Sequence, residues 1–95
     1  MEFEWDEDKR LANLEKHGVD FLDACGIWAG PVLDPLAQRM VEGEVRPTAL
    51  GMIGEDEIIV AVVYTLREGA LRLISARRAR RNERKTYQDR FARGQ

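Results

Sequence analysis

The sequence is poor in the residues that build disulfide frameworks and zinc sites. It contains one cysteine, Cys25, and one histidine, His17. A single cysteine cannot form an internal disulfide, which indicates a reducing compartment and excludes a disulfide-stapled secreted scaffold. A structural zinc site needs four ligands, mostly cysteine and histidine, so an all-protein zinc site is not expected. We expect the protein to work without a metal or another cofactor.

Long apolar runs are missing as well. No stretch approaches the roughly 20 apolar residues that a membrane-spanning helix needs. The acidic N-terminus MEFEWDEDKR lacks the apolar run of a secretory signal. The 95 residues suffice for one domain, which we place at residues 1–95. These absences predict a single cytoplasmic domain that does not bind a membrane.

Charge is divided unevenly along the chain. Residues 1–66 hold five lysines and arginines and fourteen acidic residues, a balance of −9, whereas residues 67–95 hold ten and three, a balance of +7. Such a division indicates a partner of opposite sign, and nucleic acid is the usual partner of a compact arginine-rich segment. The alternative is that the two halves neutralise one another within the fold.

The N-terminal third carries clear helix signals. Alternation of polar and apolar residues over residues 2–5 predicts a short edge strand. Asp6 and Asp20 are the expected N-caps of two helices, because an aspartate side chain can accept the free N–H groups of a first turn. Gly18 is the expected end of the first helix, and the second should end near Gly30.

The rest of the chain predicts a sheet followed by a helix. Strands are expected near residues 37–42, 45–53, 57–66 and 70–76. Residues 58–64 form an unbroken apolar run, which is typical of a central strand buried on both faces. Short turns favour antiparallel pairing, and helix formers follow from Ala79 to about Phe91. The predicted fold is α+β: a small antiparallel sheet of four to five strands with two N-terminal helices and one C-terminal helix.

The end of the last strand and the following helix hold the densest group of residues suited to phosphate. Five arginines occur there: Arg77, Arg78, Arg80, Arg81 and Arg84. Arginine suits phosphate because its planar fork donates two parallel hydrogen bonds. Helical spacing puts Glu83 and Tyr87 on the face of Ala79 and Phe91, near the sheet and the strand-end arginines. Two interpretations stay open: an acid–base set, or a carboxylate that pairs with an arginine while the tyrosine closes the core.

Two smaller clusters also carry polar groups. Glu44 and Arg46 share one face of a predicted strand, because side chains alternate with period two. They form either part of a site or an ordinary same-face ion pair. Lys16 and His17 lie at the predicted end of the first helix, where the helix dipole favours cations. A histidine there is either catalytic or a plain helix-end residue.

Several longer segments occur together in one order. FEWDEDKRLANLEKHGVDFLDA opens the chain, EGEVR and IIVAVVYTLREGALRLISARRA follow, and an ER-x-x-Y block closes it. Together these segments resemble the BrnT family of type II toxins over roughly residues 3–87. The chain departs from that family's pattern in residues 34–44, which are shorter and lack a histidine before Glu44. It also departs at Pro47, where an aromatic or bulky apolar residue is usual.

The resemblance implies a fold similar to that of the RelE toxins, in which helices pack on a compact antiparallel sheet. It further implies a ribonuclease that inhibits translation and is neutralised by a ribbon-helix-helix antitoxin of the BrnA kind, in a heterotetramer. RNA and the antitoxin would be the partners, with operator DNA contacted only through the complex. The family's motifs fall on Lys16, His17, Glu44, Arg46, Ser75, Arg77, Arg78, Glu83 and Tyr87.

The expected reaction is metal-independent attack of a ribose 2′-hydroxyl on the adjacent phosphate, which needs a base, an acid and cations. Arg77 and Arg78 are expected to hold the phosphate. The acid–base candidates are Glu83 or His17 as base and Tyr87 or Lys16 as proton donor or phosphate contact. The expected substrate-binding residues are Lys16, Glu44, Arg46, Ser75, Arg80 and Arg84.

The outer cations are expected to attract RNA or a partner without specificity; they are Arg81, Lys85 and Arg93. The alternative function is a binding subunit without catalysis. In that case the basic helix would contact operator phosphates beside the antitoxin, or would dock the antitoxin's acidic tail.

Overall fold

The computed structural model describes residues 1–91, which form one five-stranded sheet with helices on both of its faces. The elements in chain order are β1 (Glu2–Glu4), α1 (Glu7–His17), α2 (Phe21–Ala24), β2 (Val32–Val41), β3 (Glu44–Ile53), β4 (Ile58–Arg67), β5 (Ala70–Arg78) and α3 (Arg81–Phe91). The strands are arranged β1-β5-β4-β3-β2, so β4 is central as predicted. No helix in residues 1–91 is long and apolar enough to cross a membrane.

The predicted caps of the N-terminal helices are confirmed. The Asp6 carboxylate accepts the N–H groups of Asp8 and Lys9 at 2.9 and 3.2 Å, which satisfies two donors of the first turn. Gly18 ends α1 with a φ of 73°, a left-handed conformation that glycine adopts without steric cost. The Asp20 side chain caps α2 through the N–H of Leu22 at 3.0 Å.

The second helix is shorter than predicted. It ends at Ala24 after four residues, and a 3₁₀ segment, Cys25–Ala29, replaces the rest. Gly26 lies in this segment, and glycine has a low helix propensity. The preference for an α-helix is therefore weak here, and tertiary packing determines that the segment is a 3₁₀-helix. The first sheet strand after it, β2, begins earlier than predicted and passes through Pro35. An edge strand tolerates proline because one row of its N–H groups needs no partner.

The sheet is mixed, which corrects the prediction of antiparallel pairing throughout. Strands β2 to β5 pair antiparallel in sequence order. β1 pairs parallel with β5, with Glu2 opposite Ala70 and Phe3 opposite Leu71. Turn length could not predict how these two strands pair, because the rest of the sheet lies between them in the sequence.

Apolar side chains cover both faces of β4. On one face Val60, Val62 and Tyr64 belong to the main core, which α2 and the 3₁₀ segment help to build. On the other face Ile59 and Ala61 belong to a second cluster beneath α3. The members of that second cluster are Leu33, Leu50, Ile59, Ala61, Ala79 and Tyr87. Burial on both faces of residues 58–64 therefore agrees with the prediction.

Gly51 of β3 allows the 3₁₀ segment to approach the sheet closely. A Cβ atom at this position would overlap Ile27 Cβ and lie 2.9 Å from Ile27 Cγ2. We expect Gly51→Ala to lower the free energy of unfolding by about 1–3 kcal/mol, because the segment must shift to admit the methyl group. Urea unfolding monitored by tryptophan fluorescence measures this. Gly26→Ala is the matched control, since no atom lies within 4 Å of a Cβ there; equal losses in both variants would contradict the packing argument.

Two hairpin turns lie at the same end of the sheet, here called the turn end. Glu42 and Gly43 join β2 to β3 with φ values of 51° and 80°, and Glu68 and Gly69 join β4 to β5 with 50° and 86°. Consecutive positive φ values are typical of type I′ turns, whose twist matches that of the strands. α3 begins at the opposite end, where β5 stops.

Candidate functional site

A paired arginine and glutamate join the end of β5 to the first turn of α3. Arg77 Nη1 lies 2.8 Å from Glu83 Oε1, and Arg77 Nη2 lies 3.1 Å from Glu83 Oε2, which is a bidentate geometry. Glu83 Oε1 also accepts the backbone N–H of Arg80 at 2.7 Å. Glu83 is the third residue of α3, so this bond is the glutamate half of a capping box. The side chain of Glu83 is 9% exposed and that of Arg77 is 22% exposed.

Tyr87 lies one turn further along α3 and is buried. Its hydroxyl donates a hydrogen bond to the Pro31 carbonyl oxygen at 2.7 Å, which ties α3 to the start of β2. Burial raises the pKa of the Tyr87 phenol. The predicted inward position of Glu83 and Tyr87 is therefore confirmed. Phe91 was predicted to pack inward too, but it is 37% exposed and packs against the Tyr87 ring in a tilted arrangement, with 4.8 Å between the ring centroids.

Glu83 is ionised at neutral pH. The hydrogen bonds from Arg77, and then the backbone N–H of Arg80, lower the pKa of its carboxyl against the opposing effect of burial. Both carboxylate oxygens are engaged by donors. The observed contacts are those of the interpretation in which Glu83 pairs with an arginine and Tyr87 closes the core.

The depressed pKa of Glu83 predicts a pH effect on stability. The folded-state pKa lies below the unfolded value, so the stabilisation is complete above the unfolded pKa and disappears as the pH falls through the folded pKa. Glu83→Gln should therefore flatten the loss of stability that the wild type shows below about pH 4.5. Urea midpoints between pH 3 and pH 7 measure it. Glu15→Gln, at an exposed carboxylate of α1, is the control; identical pH profiles for wild type and Glu83→Gln would contradict the prediction.

The two strand-end arginines lie on opposite faces of the sheet. Arg77 is opposite Ala61 and faces α3, whereas Arg78 is opposite Val60, whose side chain belongs to the main core. Successive side chains of a strand point to opposite faces, and β5 continues through Arg78 instead of ending near residue 76. The prediction placed both arginines beside Glu83. The structure brings Arg77 there and leaves Arg78 exposed on the other side.

Lys16 and His17 lie on the same side of the sheet as Arg78. Lys16 is exposed and His17 is half-buried at the end of α1. The following residue, Gly18, lines a hollow of about 340 Å³ together with Arg78. Lys16 and His17 are therefore separated by the sheet from Arg77 and Glu83. The predicted combination of these residues in one site would need groups from both sides of the sheet.

Glu44 and Arg46 form the predicted same-face ion pair near the turn end. Arg46 Nε lies 3.1 Å from Glu44 Oε1, and Arg67 Nη2 of β4 lies 3.0 Å from Glu44 Oε2. The hydrogen bond from Arg67, followed by that from Arg46, lowers the pKa of the Glu44 carboxyl. Sequence reasoning missed Arg67. The pairing of β3 with β4 is what brings it to Glu44, and residue spacing alone did not contain that register.

One face of the sheet carries four of the predicted residues: Glu44, Arg46, Ser75 and Arg77. Glu44, Arg46 and Thr48 are alternate residues of β3 and share one face, and Thr48, Val63 and Ser75 lie in one row across β3, β4 and β5. Ser75 and Arg77 then share the α3 side of β5. We call this surface the open face; its exposed and half-buried polar residues are Glu44, Arg46, Arg67, Arg72, Ser75 and Arg77, and Thr48 and Thr65 lie buried between them. α3 covers only its far end, over the second apolar cluster.

Strand geometry gives the scale of the open face. Arg77 and Arg46 are two strands and about four residues apart, which is roughly 15 Å between their backbones. Ser75 lies between them and is half-buried. Arg72, which sequence reasoning also missed, pairs with Glu4 of β1 at 3.2 Å. The face can therefore present several guanidinium groups to an extended, negatively charged chain.

The solvent side of α3 carries the remaining predicted cations. Arg80, Arg81, Arg84 and Lys85 are exposed. Arg84 Nη1 donates to the Ala79 carbonyl oxygen at 2.9 Å, and Lys85 pairs with Asp89 at 3.0 Å. Arg93 lies outside the described residues. This row is an exposed basic surface beside the open face, as expected for general attraction of nucleic acid or an acidic partner.

The chain was compared with known proteins. No curated protein matches it at a significant level. A family model described as "Ribonuclease toxin, BrnT, of type II toxin-antitoxin system" matches residues 5–83. The matched range runs from the residue before the cap of α1 to Glu83, and it includes the Glu44–Arg46 pair, Ser75 and Arg77. Because the match covers most of the chain, the protein belongs to the BrnT family of ribonuclease toxins of type II toxin–antitoxin systems.

Proposed function

We propose that the protein cleaves cytoplasmic RNA on the open face, by attack of a ribose 2′-hydroxyl on the adjacent phosphate and without a metal ion, and that this inhibits translation. The observation that supports the proposal most directly is the position of Arg77. Glu83 holds its guanidinium in a bidentate pair at the rim of a face that also bears Ser75 and Arg46. The pair uses one N–H of each terminal nitrogen, which leaves the Nε–H and the second Nη2 N–H as two fixed donors for a phosphate on which charge develops during the reaction.

In the proposed reaction the 2′-oxygen bonds to phosphorus, the 5′-oxygen leaves, and a 2′,3′-cyclic phosphate remains. Arg77 would stabilise the charge on the phosphate, and Ser75 would donate a hydrogen bond to it. Arg46 would hold a neighbouring nucleotide. Arg80 and Arg84 would attract the strand from the side of α3, and Arg78 and Lys16 would do so from the opposite side of the sheet.

We assign Glu83 and Tyr87 positioning roles. Glu83 orients Arg77, and Tyr87 anchors α3 through the Pro31 carbonyl. A second carboxylate of the face, Glu44, is more exposed than Glu83, with 26% of its side chain accessible against 9%. Both carboxyls have lowered pKa values, which makes each a weak base. The proposed rate enhancement therefore rests on positioning and charge stabilisation.

Incubation of the purified protein with RNA in EDTA tests the reaction. We expect fragments that end in 2′,3′-cyclic phosphate, identified by mass spectrometry and by their resistance to 3′-end labelling. RNA that stays intact in EDTA and is cut only after Mg²⁺ is added would overturn the metal-independent mechanism. RNA that stays intact in both conditions would favour the second candidate below.

The second candidate is a non-catalytic subunit that binds operator DNA with the antitoxin. It is favoured by one observation: the hydroxyl of Tyr87 and both oxygens of Glu83 are already engaged inside the protein. The exposed cations of α3 would then contact operator phosphates, with binding that weakens steeply as salt rises. Intact RNA together with tight operator binding by the complex would support this function.

We further propose that the neutralising partner is a ribbon-helix-helix antitoxin of the BrnA kind, bound in a heterotetramer. The type II description of the family supports a protein antitoxin. Operator DNA would be contacted through the complex. Light scattering of the co-purified complex measures its mass; a mass that fits one copy of each chain would contradict the heterotetramer.

A further inference from the structure

Three large apolar side chains are exposed together near the turn end. Met40 is 67% exposed, Val45 is 45% exposed and Leu66 is 69% exposed. Met40 and Val45 are cross-strand partners, and Leu66 is opposite Leu71 of the main core, so all three lie on the face that α2 and the 3₁₀ segment cover elsewhere. Scattered exposed apolar residues are ordinary, but a group on adjacent strands indicates an interaction site. We call these three residues the turn-end patch.

The turn-end patch borders a hollow in the sheet. The ladder between β3 and β4 stops at Thr48 opposite Val63, next to Pro47, which has no N–H to donate. Beyond it the Thr65 hydroxyl, in place of a strand N–H, donates to the Val45 carbonyl oxygen at 3.1 Å. The two strands therefore separate around a hollow of about 340 Å³, whose apolar lining comes from Val45, Pro47 and Leu66. A hollow of this kind can take up a side chain from a partner.

Acidic residues flank the turn-end patch on both sides. Glu42 and Glu68 occupy equivalent positions in the two hairpin turns and are exposed. Within residues 1–91 neither carboxylate takes part in an ion pair. Both have a left-handed backbone, which asparagine or glycine adopts at lower cost in such turns. The surface is thus apolar at its centre and negative at its margins, and its complement is apolar with basic margins.

We propose that the turn-end patch is where the antitoxin docks, through an amphipathic helix whose apolar side chains enter the hollow and whose lysines or arginines meet Glu42 and Glu68. The proposal rests on the proposed function only in taking a protein antitoxin as the partner. The antitoxin is the occupant that the charges favour, because a second copy of this chain would bring the same acidic turns together in a two-fold dimer.

Docking and cleavage occupy opposite faces of the sheet in this arrangement. Leu66 points away from the open face, whereas its neighbour Arg67 lies on it and pairs with Glu44. Substitution of Leu66 should therefore change antitoxin binding and leave RNA cleavage unaltered. This separation makes failure of the docking proposal distinguishable from failure of the ribonuclease proposal.

Calorimetric titration of the protein with its cognate antitoxin tests the proposal. Leu66→Lys should weaken binding at least about tenfold, because it removes an apolar contact and places a positive charge against the basic residues at the margins of the antitoxin helix. Leu66→Glu should weaken binding less, because it removes the same contact but keeps the favourable charge. Leu22→Lys is the matched control, since Leu22 of α2 is 62% exposed and lies off the patch. All variants should cleave RNA at the wild-type rate.

Four outcomes would overturn the docking proposal. One is wild-type affinity in Leu66→Lys, and another is an equal loss in Leu22→Lys. A third is a greater loss in Leu66→Glu than in Leu66→Lys, which would show that the partner's margins are acidic. The fourth is a toxin that sediments as a dimer without antitoxin and becomes a monomer in Leu66→Lys, which would assign the patch to a second copy of the chain.

Discussion

Replacing Arg77 with alanine is expected to lower RNA cleavage by about 100-fold or more and the free energy of unfolding by about 3 kcal/mol. The activity is lost because no other described guanidinium is held by a bidentate pair at the rim of the open face beside Ser75. The stability is lost because Glu83 keeps its charge in a buried position without its main partner. Single-turnover cleavage of a labelled RNA and urea unfolding measure the two effects.

Arg78→Ala is the matched control for this experiment. It removes the same charge from the adjacent residue, but Arg78 is exposed and its side chain lies on the opposite face of the sheet. We expect only a few-fold loss of cleavage, of the size that general attraction of RNA produces. If Arg78→Ala lost cleavage while Arg77→Ala retained it, the phosphate site would have to lie beside Gly18 and His17 instead.

A second pair of variants separates chemistry from folding. Arg77→Ala combined with Glu83→Gln removes the unpaired buried charge, so part of the stability should return. Cleavage should stay low, because the guanidinium is still absent. Recovery of cleavage together with stability would show that Arg77 acts only through the fold. Arg77→Lys keeps the charge without the fork and should retain more activity than alanine but less than wild type.

The sequence predicted well the features that depend on local physical chemistry. Asp6, Gly18 and Asp20 act as caps because a cap needs only a short polar side chain or a left-handed backbone at one position. The apolar run of residues 58–64 is central because such a run must be covered on both faces. The same-face pairing of Glu44 with Arg46 followed from strand period alone.

The division of the site between two faces could not be predicted in the same way. Strict alternation from Leu71 and Leu73, which are in the main core, would put Arg77 on their side of the sheet. The register between β4 and β5 shifts between Val63 and Tyr64, so Ile74 has no partner and the alternation is inverted beyond it. That irregularity moves Arg77 to α3 and Arg78 away from it. A one-residue shift of this kind leaves no mark in composition or periodicity.

The parallel pairing of the edge strand β1 could not be predicted from the sequence either. Three residues carry too little pattern to specify a neighbour, and β1 finds its place beside β5 through α1, which packs on that strand. The packing of α1 on β5 also explains how the edge of the sheet is covered beyond the end of β1. β1 ends opposite Arg72, so the backbone of β5 after that residue has no strand on its outer side. One buried side chain of α1, Asn13, takes the place of the missing strand.

We expect Asn13→Ala to lower the free energy of unfolding by about 2–4 kcal/mol, equivalent to a fall of roughly 10–20 °C in Tm. Asn13 Nδ2 donates to the Ala76 carbonyl oxygen at 2.8 Å and to that of Val19 at 3.0 Å, and Asn13 Oδ1 accepts the Ala76 N–H at 3.1 Å. Alanine makes none of these bonds. Two backbone groups of β5 and one of the α1–α2 connection would then lose their partner in a buried setting.

Helix propensity acts in the opposite direction, which sharpens the test. Alanine is a better helix former than asparagine by several tenths of a kcal/mol, so a purely local role of Asn13 predicts a stabilised variant. Glu15→Ala, at an exposed position of the same helix, shows the effect of a substitution by alanine where no buried hydrogen bond is lost. Asn13→Asp should be worse than alanine, because its carboxylate would face the carbonyl oxygens of Val19 and Ala76. Thermal unfolding of the three variants decides the matter: a Tm for Asn13→Ala at or above that of the wild type would show that the amide does not act as the missing strand.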